Sequence, residues 1–236
     1  MLELEIAKKA CISAGIFLRN LEEKRINLNL GKDIKLQADL DAEKVICEIL
    51  TASFSYPILS EESYRLEETS GLYWVLDPLD GSLNYSRDIP ICCISLALYE
   101  DRNPVLGVIY DFYREEIFSG IVKMGAWLND REIINPIIKK DKNQAVLATG
   151  FSSYMNYGKE DLEKFILHIQ DFKKIRLIGS AALSLAYVAC GRIDAYYEKN
   201  IGFWDIAAGL ALVRSCCAKN ISIDFKDNNM VDLYIF

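Results

Sequence analysis

The feature of this sequence that most constrains its fold is the segment 72–82, an apolar run that ends in Asp-Pro-Leu-Asp-Gly-Ser. Pro78 presets its own φ angle and biases Asp77 toward an extended conformation, so we expect a strand that carries Asp77 at its end. Gly81 permits a backbone turn that a side chain would obstruct. The amides of Gly81 and Ser82 then open a helix, where they can point at an anion.

Two other apolar segments are also bordered by acids. Glu61 and Glu62 follow residues 56–60, and Asp205 precedes residues 206–216. Carboxylates are hard oxygen donors of the kind that magnesium and calcium prefer, and no His or Cys lies close enough in sequence to indicate zinc. Each segment also has an ordinary interpretation: an Asp-rich surface turn, a solvated pair of glutamates, or a helix N-cap. A divalent-cation site requires that the fold bring these acids together.

The acidic balance of the chain restricts its partners. Its 236 residues carry a formal net charge of −7, and they contain no stripe of Lys and Arg. A nucleic-acid backbone requires such a stripe, so the sequence predicts no nucleic-acid partner. An acidic protein that acts on an anionic substrate must neutralise charge locally, which favours bound cations.

The N-terminus and the cysteines favour a cytoplasmic protein. Glu3 and Glu5 occupy positions where a secretory signal carries basic residues. No apolar run approaches the roughly 18 residues of a membrane span, so no membrane partner is expected. The seven cysteines are an odd number without C-x-x-C spacing, which predicts reduced, mostly buried thiols.

Composition and periodicity predict one mixed αβ domain over residues 1–236. Hydrophobic residues make up 51% and charged residues 26% of the chain, and no linker-like segment divides it. We expect two lobes that share a cleft, approximately residues 1–140 and 141–236. The apolar patterns predict helices at 2–22, 39–50 (with Asp39 as N-cap), 159–171, 180–190 and 206–216. They predict strands at 56–59, 72–76, 91–99, 104–110, 115–121, 145–149, 174–178 and 194–197. Because strands and helices do not alternate strictly, a layered fold with mixed sheets fits better than a barrel.

The acid-bearing segments, taken in order, resemble the inositol monophosphatase family, the magnesium-dependent, lithium-sensitive phosphatases. The family pattern has a Glu-Glu pair, then W-x-[IVL]-D-P-[IL]-D-G-[ST], then W-D-x-A-A. This chain has Ser-Glu-Glu-Ser at 60–63, Trp-Val-Leu-Asp-Pro-Leu-Asp-Gly-Ser at 74–82 and Trp-Asp-Ile-Ala-Ala at 204–208. Residues 38–43, 179–182 and 194–198 resemble three further family segments. The resemblance covers roughly residues 1–225.

The resemblance implies a layered αβαβα sandwich of the sugar-phosphatase type. It also implies that the lobe at approximately 1–140 binds metal and phosphate and that the lobe at 141–236 determines substrate specificity. It departs from the family at 214–220, where Arg-Ser-Cys-Cys-Ala-Lys-Asn stands in place of E-A-G-G and an Asp-rich strand. The chain also stops at Phe236, short of the last strand and helix of most members. We therefore expect a C-terminally shortened fold, with changed packing at that sheet edge.

The resemblance also implies a metal site for two or three magnesium ions. One ion would be held by Glu62, Asp77, the carbonyl of Leu79 and Asp80. Asp77, Asp80 and Asp205 would hold a second ion, and a third, weaker one would lie near Glu62. A basic residue upstream of this site would be Lys32 or Lys35.

Catalytic roles follow from the same resemblance. Asp39, with Ser82, would orient and deprotonate a water for in-line attack on phosphorus, and the amides of Gly81 and Ser82 would hold the phosphate. Asp41 competes for the role of Asp39, although its spacing to the later glutamate is less suitable. Glu62 would act through its metal.

Substrate contacts are implied for the later segments. Glu198 would contact a polyol hydroxyl, Gly179, Ser180 and Ala181 would lie beside the sugar ring, and Ser152 would lie on its far side. Asp80 and Asp205 would also contact substrate. For Glu198 a surface strand end is the ordinary alternative, and for the segment 179–182 a tight helix start.

The activity implied is magnesium-dependent hydrolysis of a small inositol or sugar-like phosphate, by a homodimer. A 3'(2'),5'-bisphosphate nucleotidase or a fructose-1,6-bisphosphatase is an alternative, but a second phosphate requires basic residues in the cleft. The candidates for that role are Arg176, Arg192 and Lys199. A protein of another class, which keeps the fold and binds phosphate or a partner without catalysis, would be expected to lack one or more of the acids.

Overall fold

The computed structural model describes residues 1–21, 26–30, 33–62, 70–134, 140–216 and 220–236. The α-helices in these ranges are α1 (Leu2–Arg19), α2 (Gln37–Thr51), α3 (Ser82–Ser86), α4 (Lys159–Ile169), α5 (Ala181–Ala189) and α6 (Phe203–Ser215). The first strands are β1 (Ile26–Leu30), β2 (Asp33–Leu36), β3 (Ile58–Ser60), β4 (Leu72–Asp80), β5 (Cys93–Glu100), β6 (Asn103–Asp111) and β7 (Glu116–Ile121). The remaining strands are β8 (Gly125–Leu128), β9 (Arg131–Glu132), β10 (Val146–Thr149), β11 (Lys174–Arg176), β12 (Ala195–Gly202), β13 (Ile221–Phe225) and β14 (Met230–Ile235).

A seven-stranded sheet has the order β3-β4-β5-β6-β7-β8-β9. Its first pair is parallel, with Ser60 opposite Leu76, and its other pairs are antiparallel. Parallel strands end at the same edge of a sheet. The residues that follow β3 therefore lie beside the end of β4, where the acids of segment 72–82 are found.

A five-stranded mixed sheet has the order β11-β10-β12-β14-β13. The strand β10 is parallel to β11 and β12, whereas β14 is antiparallel to β12 and β13. The sequence patterns left β13 and β14 unassigned, together with the β1–β2 ribbon. Because β14 lies between two strands, residues 221–235 complete the sheet edge whose packing the sequence put in doubt.

The helices and sheets form five layers, which confirms the predicted αβαβα architecture. Helices α1 and α2 pack on one face of the seven-stranded sheet. Helices α5 and α6 are apolar on nearly every side and lie between the two sheets, sharing one core with both. The outer face of the five-stranded sheet carries a smaller cluster beside the end of α4. The division into two lobes near residue 140 stays a prediction.

Two local predictions were wrong. The strand predicted over 72–76 continues to Asp80, through an irregularity between Asp77 and Asp80. Asp39 is not an N-cap, because α2 begins two residues earlier, at Gln37, and the Asp39 carboxylate accepts a 2.6 Å hydrogen bond from the amide of Leu36. The carboxylate is therefore fixed inside the first turn and is buried.

Three further predictions concern membrane spans, the cysteines and the upstream lysines. Within the described ranges, every helix is too short or too polar to cross a bilayer. Cys11, Cys47, Cys92, Cys93, Cys190 and Cys216 are free thiols. Lys32 and the side chain of Lys35 lie outside the described residues.

Candidate active site

The acid-bearing segments meet in a cleft of about 260 Å³. The end of β4 and the first turns of α3, α5 and α6 contribute to it, as does the segment that follows β10. Its lining includes five carboxylates, and it includes no Lys, Arg or His among the described residues; the acids are Glu61, Asp77, Asp80, Glu198 and Asp205. A phosphate can enter such a cleft only if cations neutralise it.

Glu61, Asp77 and Asp205 form the centre of this cluster. Each offers a carboxylate oxygen, and the three oxygens lie within 4.8 Å of one another. The amide of Leu79 donates a 3.0 Å hydrogen bond to Asp77 Oδ1, while Asp77 Oδ2 is buried and accepts no hydrogen bond from an N–H or O–H group of the described residues. A buried carboxylate oxygen without a partner is costly.

The electrostatics of the cluster also favour a bound cation. Burial and then the charge of Glu61 raise the pKa of Asp77 well above its ordinary value, and the same two causes raise the pKa of Asp205. Like charges at this separation repel one another unless a proton or a metal ion lies between them. The donor set, all carboxylate, suits a hard divalent cation. The residues present therefore fit magnesium.

Glu61, rather than the predicted ligand Glu62, lies in the carboxylate cluster. Ser60 pairs with Leu76, so Glu61 follows directly beside Asp77, and its amide donates a 3.2 Å hydrogen bond to the Leu76 carbonyl. Successive side chains of a strand point to opposite faces. Because the Ser60 hydroxyl donates to buried Glu43 on α2, the side chain of the next residue points to the cleft. Glu62 is not a member of the three-carboxylate group.

Asp80 connects the metal cluster to α5. Its Oδ2 accepts hydrogen bonds from the Ser180 hydroxyl at 2.6 Å and the Ala182 amide at 2.7 Å. Burial raises the pKa of Asp80 to about 6, and these hydrogen bonds oppose the shift. The irregularity in β4 allows acids three residues apart to face the same cleft, which a regular strand would not permit.

Asp39 and Ser82 are brought together from distant segments. The Ser82 hydroxyl lies 3.1 Å from Asp39 Oδ1 and 2.8 Å from the Leu79 carbonyl. Asp41 instead accepts a 3.0 Å hydrogen bond from the Gln37 side chain, on its own helix. The geometry therefore favours Asp39 over its competitor.

A glycine turn and an asparagine organise the wall between α3 and α5. Gly81 has φ +90°, and a Cβ there would lie 2.9 Å from the Ile91 carbonyl, so only glycine fits. The Asn84 amide donates to the carbonyls of Ile91 at 2.8 Å and Ile178 at 2.9 Å. This contact fixes the segment that carries Gly179. Asn84 was not among the predicted site residues, although a side-chain amide two residues after the Gly-Ser pair indicates a hydrogen-bonding role there.

Glu198 is a buried acid of the cleft, so it is not the surface strand end that was its ordinary alternative. The Tyr196 hydroxyl donates a 2.8 Å hydrogen bond to its Oε2, and burial raises its pKa to about 7. A Cβ on Gly150 would lie 2.5 Å from the same oxygen. Ser152, Gly179, Ser180 and Ala181 also line the cleft. Gly150 was not predicted to belong to the site, because no local sequence pattern links it to β12.

The basic candidates do not enter the cleft. Arg192 forms a two-pronged ion pair with Glu116 and lies over the rings of Phe118 and Tyr187. Arg176 is exposed, and Lys199 lines a separate small pocket rather than the cleft.

Comparison with known proteins identifies the family. The model of the family described as "Inositol monophosphatase family" matches residues 3–226 of this chain. The chain belongs to the inositol monophosphatase family.

Relatives that carry two different names are similar to this chain. "Nus factor SuhB" of Xylella fastidiosa is 41% identical over 232 residues, which cover 94% of this chain and 82% of the relative. "Inositol-1-monophosphatase" of Synechocystis sp. is 35% identical over 218 residues, which cover 89% of this chain and 75% of the relative.

Solved structures of the inositol monophosphatase family share the fold. The inositol monophosphatase from Anabaena superimposes with a TM-score of 0.83 at 31% identity, covering 99% of this chain and 90% of that one. The extragenic suppressor protein suhB from Bartonella henselae gives a TM-score of 0.86 at 30% identity, covering 99% and 93%. The resemblance drawn from the acid-bearing motifs is thus confirmed.

Proposed function

We propose that this protein is a magnesium-dependent phosphomonoesterase that hydrolyses a small inositol or sugar-like phosphate. One observation carries the proposal: in the part of the chain that the structure describes, the cleft is lined by carboxylates and by no cationic side chain, and Asp77 Oδ2 there accepts no hydrogen bond from a donor group. Membership of the inositol monophosphatase family supports the same reaction class. An intact set of acids favours catalysis over a purely structural use of the fold.

Glu61, Asp77, Asp80, Asp205 and the Leu79 carbonyl would hold the magnesium ions, two of them in the simplest arrangement. Bound magnesium would supply the positive charge and the acidification of water that hydrolysis of a phosphate ester requires. The hydrogen bonds from Ser180 and Ala182 both go to Oδ2 of Asp80, so they orient this carboxylate.

The chain's own groups position the remaining reactants. The Ser82 hydroxyl, held between Asp39 and the Leu79 carbonyl, would take a proton from the attacking water while it passes its own proton to Asp39. The amides of Gly81 and Ser82 would hold phosphate oxygens at the start of α3. Glu198 would accept hydrogen bonds from hydroxyl groups of the leaving alcohol.

Two alternatives are less well supported. A bisphosphate substrate requires a cationic subsite, and Arg176, Arg192 and Lys199 do not line the cleft. A partner-binding role is suggested by relatives named Nus factor SuhB. That role does not explain why the buried acids of the cleft are retained, so we place catalysis first.

The test is phosphate release from a panel of phosphosugars, inositol phosphates and nucleotides with magnesium. We expect release from at least one small monoester, loss of release in excess EDTA, and loss in Asp77→Asn and Asp205→Asn. Asp224→Asn, an exposed carboxylate on β13, is the matched control and should keep full activity. Undiminished release by the Asp77 variant, or in EDTA, would contradict the proposal.

Homodimer formation and a cytoplasmic location complete the proposal. The six described cysteines are free thiols, which supports a reducing compartment. Sedimentation of the purified protein would test the dimer, and a mass near 26.8 kDa, that of one chain, would refute it.

A further inference from the structure

The mouth of the cleft has an apolar wall that the phosphate chemistry does not use. Three of its lining side chains are large, apolar and about half exposed: Leu83 at 55%, Phe151 at 48% and Tyr154 at 47%. They contrast with the carboxylates at the base. Exposed apolar side chains are ordinary when scattered, but a group that borders a polar cleft indicates a contact surface for a ligand.

The aromatic part of this wall is held rigidly. The ring of Phe151 lies 4.7 Å from that of Phe165 and meets the ring of Tyr157 edge-on at 5.2 Å. The Tyr157 hydroxyl accepts a 3.0 Å hydrogen bond from the Ser152 amide, and the Ser152 hydroxyl accepts one from the Tyr154 amide at 3.1 Å. Phe151 and Tyr154 are therefore presented by a supported turn, and a ligand gains their contact without ordering a loop.

The wall lies next to Glu198, the acid assigned to the leaving alcohol. Gly150 precedes Phe151, and a Cβ on Gly150 would lie 2.5 Å from the Glu198 carboxylate, so Phe151 follows directly the residue that adjoins this acid, and both line the cleft. A ring that carries hydroxyl groups at its edge and C–H groups or π electrons on its face matches both surfaces. A short acyclic alcohol reaches the carboxylate but leaves the aromatic wall in water.

We infer that Phe151 and Tyr154 determine specificity by packing against the apolar face of a ring-shaped leaving group. Phosphate esters of ring alcohols are then preferred over phosphate esters of acyclic alcohols. The inference rests on the proposed function and adds residues to it. The rings contact substrate in both the bound and the transition state, so their contribution falls mainly in KM.

The experiment compares three probes: inositol 1-phosphate, 4-nitrophenyl phosphate and glycerol 2-phosphate. In Phe151→Ala we expect kcat/KM to fall about fivefold to tenfold for inositol 1-phosphate and 4-nitrophenyl phosphate, because KM rises. For glycerol 2-phosphate it should fall less than about twofold. Tyr154→Ala should also lower kcat/KM for these two esters, whereas Tyr154→Phe, which keeps the ring, should keep the wild-type preference. Similar losses are expected for inositol 1-phosphate and 4-nitrophenyl phosphate, because the wall can pack against either a C–H face or an aromatic face.

Controls distinguish this wall from general damage. Phe151→Leu keeps apolar volume under the turn but loses the flat ring, and it should show the same selective loss with an unchanged thermal midpoint. Leu162→Ala, a 41% exposed apolar side chain on α4 outside the cleft, should change nothing. An equal loss for all three esters, or no loss, would overturn the inference while leaving the proposed function standing. No release from any ester by the wild-type protein would overturn both.

Discussion

The carboxylate of Glu198 lies where a side chain on Gly150 would be: a Cβ on the glycine would lie 2.5 Å from Oε2 of the glutamate. Gly150 follows β10 directly, and Glu198 lies on β12, its parallel neighbour. The absent side chain leaves the space in which the carboxylate sits. The glycine is therefore required by a neighbour rather than by its own backbone.

The first prediction concerns this pair. Gly150→Ala should lower kcat/KM for a polyol phosphate about tenfold, because the added methyl group displaces the Glu198 carboxylate from its hydrogen bond with Tyr196. Gly158→Ala is the matched control, since a Cβ there meets only Asp161 at an ordinary 3.5 Å. In a Glu198→Ala background the Gly150 substitution should lower kcat/KM little further. A second loss of about tenfold in that background would refute the coupling.

The second prediction separates the two adjacent glutamates. Magnesium at about 100 times its Kd should stabilise the wild-type protein by about 2.7 kcal/mol, measured as a rise in thermal midpoint. Glu61→Gln should abolish most of that rise, because the glutamate is one of the three clustered carboxylates. Glu62→Gln should retain it. The opposite result would restore the ligand assignment drawn from the sequence.

The third prediction concerns the protein without metal. Asp77→Asn should raise the free energy of unfolding in EDTA at pH 7 by about 1–2 kcal/mol, the size of a typical single-residue effect. The reason is that burial and the charges of Glu61, Asp80 and Asp205 all disfavour the ionised carboxylate. Urea denaturation measures the change, with Asp224→Asn expected within about 0.5 kcal/mol of wild type. A destabilised Asp77 variant would mean that the carboxylate supports the fold.

The fourth prediction is a pH dependence carried by Glu198. Burial raises its folded-state pKa to about 7, above the ordinary 4.5, so the folded protein holds a proton that the unfolded chain releases. The free energy of unfolding should therefore fall as pH rises from about 4.5 to 7, by up to about 3 kcal/mol. Glu198→Gln should lack this component.

Denaturation of both proteins in EDTA at pH 5 and pH 7.5 measures the Glu198 component as the difference between wild type and variant. The other carboxylates titrate in both proteins and cancel to first order. An identical difference at the two pH values would show that Glu198 is ionised throughout and that its pKa is not raised.

Much of the fold was predictable because it depends on local patterns. The apolar character of α5 and α6 on nearly every side indicates helices between two layers, and the run 72–82 predicts a strand that ends in acids. Residues 221–235 were left unassigned, since their alternation is modest and their stability comes from pairing with β12.

The sequence by itself determined which chemical groups the site contains, because the residue types and spacing of Asp77, Asp80, Gly81 and Ser82 already specify hard ligands followed by a turn. Only the tertiary structure decided which groups meet. The pairing of Ser60 with Leu76 selects Glu61 over Glu62, and the neighbouring positions of β10 and β12 bring Gly150 to Glu198. Strand register and helix packing set these distances, and both depend on contacts between residues far apart in the chain.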